Sequence, residues 1–254
     1  VRRLFRYRDL VGTLIVRELT VRYKRSTIGF VWTMLQPMLT MIVLHAVFST
    51  MFRFDVANYP VYVLAGVLFW NFFSQSIISS MNSLRGNAAL LKKLPVPHAV
   101  FPVATVAAGV INLVLAMIPL FVVLVATGHP LTPSLLFLPV SIAIATLFTL
   151  GAGLLLSPLA VFFYDVVEVV GVLMMLAMYA TPIFYPMSIV PDRFRWLVRF
   201  NPVRSILEVF RDPIFYSKVP PLSHLTVAAS VAVLAFALGY WSFRRSADRI
   251  PFYV

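Results

Sequence analysis

Residues 94–164 read LPVPHAVFPVATVAAGVINLVLAMIPLFVVLVATGHPLTPSLLFLPVSIAIATLFTLGAGLLLSPLAVFFY, without a single Asp, Glu, Lys or Arg. A helix crosses a bilayer with about 20 apolar residues. This interval is too long for one crossing and holds two. Thr127-Gly128-His129-Pro130-Leu131-Thr132-Pro133-Ser134 is a turn signal between them. Four further intervals, 26–52, 56–84, 169–191 and 219–243, are equally free of charge and hold one crossing each. The expectation is an all-α integral membrane protein with six transmembrane helices, at about 30–52, 60–80, 99–126, 135–157, 168–185 and 225–243. Barrel strands alternate over short segments, unlike these uninterrupted apolar blocks.

Composition agrees. The 254-residue chain is 61% hydrophobic and 12% charged, against about 45–50% and 25% in soluble domains. A net charge of +12 points to nucleic acid only where it forms a basic face, and here the bases sit at the ends of apolar blocks. The sequence has no cysteine, which excludes disulfide and thiolate chemistry.

Orientation follows from Lys and Arg. Arg2, Arg3, Arg6, Arg8, Arg17, Arg22, Lys24 and Arg25 precede the first span. Arg85, Lys92 and Lys93 lie between spans two and three, and Arg244, Arg245 and Arg249 follow the sixth. The positive-inside rule places both termini in the cytoplasm. The segment 187–223 then lies outside, although it carries six bases, offset in part by Asp192, Glu208 and Asp212.

Residues 1–28 are not a signal peptide, because the bases run on through Arg25 instead of giving way to an apolar core. They are expected to form an amphipathic helix in the inner interface. Leu4, Tyr7, Leu10, Val11, Leu14 and Ile15 share one face, and Arg6, Asp9, Thr13 and Arg17 another. Residues 29–254 form the six-helix domain. Within it, 83–95 is expected as one short cytoplasmic helix stopped by Pro95 and Pro97. Asp165 and Glu168 open span five, suiting either a cap or a partner contact. Kinks are expected at Pro37, Pro102, Pro119 and Pro139.

The segment 187–223 predicts two short amphipathic helices, about 192–200 and 203–216, split by Asn201-Pro202. Non-helical backbone at membrane depth is tolerated where it packs in protein or lines a wet cavity, so this element is placed over the outer mouth of a pathway. Phe194, Trp196, Phe200, Arg204, Glu208 and Arg211 are its candidate gate residues. Spans one and five each carry a proline near a boundary, Pro37 and Pro182. Their aromatic and polar residues His45, Phe48, Met51, Tyr179 and Tyr185 are candidates for lining the pathway. The chain has no phosphate-cradling ATP loop, no histidine set for a metal and no catalytic triad. Energy for uphill transport must come from another chain.

Arg17-Glu18-Leu19-Thr20-Val21-Arg22-Tyr23-Lys24-Arg25-Ser26-Thr27-Ile28-Gly29-Phe30-Val31-Trp32, leading into Leu35-Gln36-Pro37, resembles the opening signature of type 2 ABC permeases of the polysaccharide and polyol-phosphate export branch. Leu94-Pro95-Val96-Pro97, Thr181-Pro182-Ile183-Phe184-Tyr185, and Asn201-Pro202 with Glu208 and Arg211 fit the same pattern. The resemblance covers nearly the whole chain. It implies a non-catalytic permease in the bacterial inner membrane that pairs with itself and binds no cofactor. Two cytoplasmic subunits would bind ATP and Mg. The N-terminal helix and the 83–95 coupling helix would meet them through Asp9, Arg17, Glu18, Arg22, Arg85, Leu90, Leu91 and Lys92. The implied cargo is a lipid-linked polysaccharide of O-antigen type on a polyprenyl diphosphate. Teichoic acid or capsular polysaccharide is the alternative, and drug or lipid efflux ranks lower.

Overall fold

In the computed structural model, the described residues are 7–24, 29, 31–47, 58–93 and 96–253. They form ten α-helices: α1 (Arg8–Tyr23), α2 (Val31–Val47), α3 (Tyr59–Gly86), α4 (Ala88–Lys93), α5 (Val100–Ala126), α6 (Leu138–Phe162), α7 (Val166–Ala180), α8 (Asp192–Arg199), α9 (Pro202–Arg211) and α10 (Leu222–Ser246). Six of them are apolar. Four of these, α3, α5, α10 and α6 with its leading 3-10 turn, are long and apolar enough to cross a membrane. The other two, α2 and α7, are shorter. Span one was expected to run to residue 52, and its last part lies outside the described residues. Span five unwinds after Ala180, five residues earlier than expected.

α3 is the centre of the bundle. Its residues from Val61 to Trp70 are buried without a break, and it packs against α2, α5, α6, α7 and α9. α10 lies along α6. Ala228, Ala232, Ala235 and Gly239 recur at helical spacing on the face turned to α6. A Cβ on Gly239 would run into the Gly151 backbone. Small residues allow this approach, the usual packing device where lipid removes any hydrophobic drive between helices. The opposite face of α10, with Val227, Val233, Leu234, Leu238 and Trp241 exposed, suits lipid.

A second apolar cluster closes one end of the bundle. It joins Leu14 of α1, Leu84 of α3, Leu91 of α4, Phe101 of α5, Val161 of α6 and Phe243 of α10. Both terminal segments therefore meet the connection between spans two and three, as the alternation of six crossings requires.

Three local expectations change. The single helix over 83–95 is two elements. Residues 83–86 are the last turn of α3, the chain breaks at Asn87 (φ −117°, ψ 22°), and α4 follows. Asn87 explains the break, because its side chain donates to Ser83 O at 2.7 Å and competes with a continued helix. Leu94 and Pro95 lie outside the described residues. Pro102 and Pro139 sit in the first turns of α5 and α6, where no helical hydrogen bond is lost. Pro37 and Pro119, and also Pro158, lie inside continuous helices. Finally, Leu10, Val11, Leu14 and Ile15 of α1, with Tyr7 just before it, pack on the second cluster, and α5 is the main neighbour of α1; Leu4 and Arg6 lie outside the described residues. Val16 and Val21 are exposed, so apolar residues are not confined to that face.

Candidate functional site

The C-terminal end of span five is where helix gives way to irregular backbone. Pro182 disfavours the helical conformation for the residue before it, and Thr181 is extended (φ −101°, ψ 136°). The carbonyls beyond this point have lost their helical donors, and in a membrane protein they need others. Arg211 of α9 supplies two, with Nη1 donating to Pro182 O at 2.8 Å and Nη2 to Ile183 O at 3.0 Å. Tyr59 and Tyr62 of α3 supply more. Tyr59 OH donates to Phe184 O at 2.7 Å, and Tyr62 OH lies 2.9 Å from Tyr185 O and 3.2 Å from Pro182 O. Asn201 Nδ2 donates to Thr181 Oγ1 at 2.9 Å.

The Arg211 side chain is buried, with its guanidinium carbon 3.9 Å from the centre of the Tyr62 ring. Gly66 makes room for it, since a Cβ there would collide with Arg211 Nη2. This clamp joins α3, α7 and α9 at one point. Arginine suits it because its planar fork reaches two carbonyls at once.

The two short helices flanking Asn201 differ in setting. The Asn201 side chain caps α9 by accepting from Val203 N at 3.0 Å. α9 buries Val203, Ile206, Leu207, Val209, Phe210 and Arg211. Arg204 and Glu208 form a half-buried ion pair at 2.7 Å one turn apart. α8 buries Val198 alone, leaving Phe194, Trp196 and Phe200 exposed. Tyr179, Tyr185, Phe194 and Leu197 border an open, mainly apolar cleft of about 320 Å³ between the end of α7 and α8. Two expected pathway residues and one expected gate residue thus converge. His45 is exposed on the last turn of α2, its ring 6.3 Å from that of Tyr59. Phe48 and Met51 lie outside the described residues. Asp212, just past α9, is buried. Burial raises its carboxyl pKa, and Lys218 and His224 oppose that rise.

At the opposite end, several residues expected to meet a partner are engaged within the chain. Arg17 Nη1 donates to Asn87 Oδ1 at 2.7 Å. The Arg85 guanidinium lies 3.8 Å from the Tyr164 ring centre. Leu91 is buried in the second cluster and Leu90 packs against it. Lys92, Lys93 and Ala89 are exposed on α4, and Asp9 is exposed beside Arg8 on α1. Glu18 is half-buried, and the Arg22 side chain lies outside what is described. Asp165 and Glu168 are exposed, and Asp165 makes no side-chain cap on α7.

Sequence reasoning missed the roles of Tyr59, Tyr62, Asn87 and Gly66. The signal for the tyrosines was a Thr-Pro pair ending an apolar span, which leaves carbonyls that need donors from a neighbouring helix.

The sequence that builds these elements matches a known family. The family model for the ABC-2 type transporter aligns with residues 9–215. The chain belongs to the ABC-2 type transporter family. The O-antigen export system permease protein RfbA of Myxococcus xanthus is 32% identical over 237 residues, covering 92% of this chain and 91% of that protein. A Klebsiella pneumoniae protein of the same name is 31% identical, covering 80% and 79%. The capsule polysaccharide export inner-membrane protein CtrC of Neisseria meningitidis serogroup B is 26% identical, covering 84% and 81%. Family membership makes this ABC-2 chain a transport subunit without catalytic machinery or a cofactor of its own. The matched region spans both the α1–α4 platform and the Arg211 clamp.

Proposed function

We propose that the chain is the permease subunit of an ATP-driven polysaccharide exporter in the bacterial inner membrane, with both termini cytoplasmic. It works as a homodimer on two cytoplasmic ATP-binding subunits and moves a lipid-linked glycan of O-antigen type on a polyprenyl diphosphate. The observation that carries this reading is similarity at about a third identity over nine-tenths of both chains to an O-antigen export permease. The lower identity of the capsule export protein makes capsular polysaccharide the second reading. The exposed surface of α4, Ala89, Lys92 and Lys93, with Asp9 of α1, is the docking face for the ATP-binding subunit. The end of α7, with Tyr179 and Tyr185, faces the pathway between two copies, and α8 and α9 lie over its outer mouth.

Deletion and complementation test this directly. Cells lacking the chain should lose surface polysaccharide and accumulate the lipid-linked glycan inside. Restoration should require both this chain and a functional ATP-binding partner. Normal surface polysaccharide in the deletion strain would overturn the reading. Loss of capsule with O-antigen intact would move it to the capsular alternative.

A further inference from the structure

The two halves of α1 are attached to the bundle in different ways. Leu14 is buried in the second cluster, and no described residue of α1 after it is buried. A cavity of about 650 Å³ opens beside Glu18, Leu19 and Tyr23, bordered by α2, α3 and α5. Side-chain hydrogen bonds bridge this loosely packed half to its neighbours. Arg17 Nη1 donates to Asn87 Oδ1 at 2.7 Å, at the break between α3 and α4. Six residues on, about 9 Å along the helix, the Tyr23 hydroxyl donates to Asn112 Oδ1 of α5 at 2.8 Å. The same hydroxyl lies 2.5 Å from Thr33 Oγ1 of α2. With its one proton given to Asn112, it accepts from Thr33. One hydroxyl therefore joins three helices.

The helices it joins are not equally firm. Asn112 is buried in the middle of α5, which packs along the central α3. An amide at such a position is costly without a partner, and Tyr23 supplies one. α2 is held more lightly, burying Pro37 and Met41 alone among its described residues. Pro37 stands four residues after Thr33, and a proline has no N–H for the carbonyl four residues back. The turn between Thr33 and Pro37 therefore lacks a helical hydrogen bond, and such a turn is where a helix bends. Thr33 ties the first turn of α2 to Tyr23 at the edge of that weak point. A displacement of α1 meets a firm α5 and a hinged α2.

We propose that Tyr23 is a positioning residue for transport, whose hydroxyl carries a displacement of α1 and α4 into the first turn of span one, so that this turn swings about Pro37 against α5. That an ATP-binding subunit drives the displacement rests on the exporter reading; the three-helix joint does not.

The test uses the full complex with its ATP-binding partner in nanodiscs. The sequence has no cysteine, so nitroxide pairs can be placed cleanly. Val21→Cys on α1 and Val31→Cys on α2 are each paired with Val125→Cys at the far end of α5, all three being exposed positions. Trapping ATP with vanadate should shift both distances in the parent. Tyr23→Phe keeps the ring and loses the hydroxyl. In it the Val21 shift should persist and the Val31 shift should disappear. ATP hydrolysis should continue, while export from cells falls about tenfold, in keeping with the loss of two neutral hydrogen bonds. Asn112→Leu should reproduce this pattern, and the double variant should be no worse than either single one, because both break one joint. A tyrosine that only stabilises the fold would lower melting temperature and complex yield and leave the two shifts paired. A Val31 shift retained in Tyr23→Phe overturns the proposal. So do a parent in which Val21 does not shift, losses that add in the double variant, or a Tyr23→Phe chain that no longer assembles with its partner. Selective loss of the Val31 shift in a complex whose parent exports no polysaccharide leaves the joint standing and rejects the exporter reading. Undiminished export by Tyr23→Phe rejects the joint and leaves the exporter reading standing.

Discussion

Arg211→Met removes the clamp on span five while keeping an apolar side chain in its place. The two hydrogen bonds to Pro182 O and Ile183 O are charge-assisted and worth about 1.5–3 kcal/mol each. The guanidinium over Tyr62 adds about 2 kcal/mol when desolvated. Against this stands the cost of keeping the cation out of water, several kcal/mol, raised further because Arg211 Nε has no partner among the described residues. The balance is a loss of about 2 kcal/mol in the hold on the 182–183 backbone. The sequence has no native cysteine, so Ile183→Cys gives a clean reporter at a fully buried position. N-ethylmaleimide should modify that cysteine slowly in the parent and about 30-fold faster with Arg211→Met, the factor that 2 kcal/mol corresponds to. Arg211→Lys should fall between, since an ammonium lacks the planar fork. Equal rates in the parent and the methionine variant would refute the clamp. Rapid modification already in the parent would refute the burial on which it depends.

Other expectations are more local. Ala89→Asp with Lys92→Glu and Lys93→Glu, all on the exposed side of α4, should abolish co-purification of the ATP-binding subunit while the permease still inserts. Leu91→Asp should instead destabilise the permease itself by several kcal/mol, because it buries an unpaired charge in the second cluster, and a monodisperse gel-filtration peak from this variant would contradict that packing. Gly239→Ala forces a methyl group onto the Gly151 backbone and should lower stability by about 1–3 kcal/mol, read as a drop in melting temperature. Asp212 is buried with a raised pKa and sits at the C-terminal end of α9, where a negative charge is unfavourable. Its fold favours the protonated acid, so the cost of its charge is absent below the ordinary carboxylate value of 3.8 and grows as pH rises to the folded value. Asp212→Asn should therefore melt no lower than the parent at pH 7, and the parent should gain on the variant as pH falls towards about 4. A lower melting temperature for Asp212→Asn at pH 7 would contradict this.

The crossings were legible because lipid imposes a coarse rule: a run of about 20 residues without charge is a span. Residues 94–164 met that rule twice, and α5 and α6 occupy the places it assigned, with the turn after Thr127 made by Gly128 at positive φ. The break at Asn201-Pro202 was legible for a similar reason, since asparagine and proline mark a cap and a start, but the second helix ends at Arg211 instead of running to 216. What escaped was tertiary. Leu90 and Leu91 read as a contact surface on a short basic helix, yet Leu91 belongs to a cluster drawn from six helices, which no local pattern encodes. Arg17 and Arg85 likewise read as charges offered to a partner. Their engagement with Asn87 and Tyr164 depends on how α1, α3 and the start of α7 come together. Asn87 read as part of a continuous helix because its side-chain competition with the backbone is decided by a single residue.

The clamp also bears on which part of the segment after span five can move. α9 is held to α3 and to the end of α7 by Arg211, buries most of one face, and packs on α6 and α10 as well. Moving it would expose Ile206, Leu207 and Phe210 and break the hydrogen bonds to Pro182 and Ile183 together. α8 is attached through Val198 and by Asn201 at its C-terminal end, and its charged pair Asp192–Arg195 is an exposed one, worth little to stability. Local opening begins where few side chains are buried. In the proposed exporter, any opening of this segment is therefore expected to swing α8 about Asn201 while α9 stays with the bundle. A cleavable thiol cross-linker tying α8 to the end of α7, between Tyr179→Cys and Phe194→Cys across their shared cleft, should arrest export until it is cleaved. A disulfide confined to α9 and α3, at facing positions whose Cβ atoms lie within about 4.5 Å, should leave export intact. Arrest by the second and not the first would reverse the assignment and make α9 the moving element.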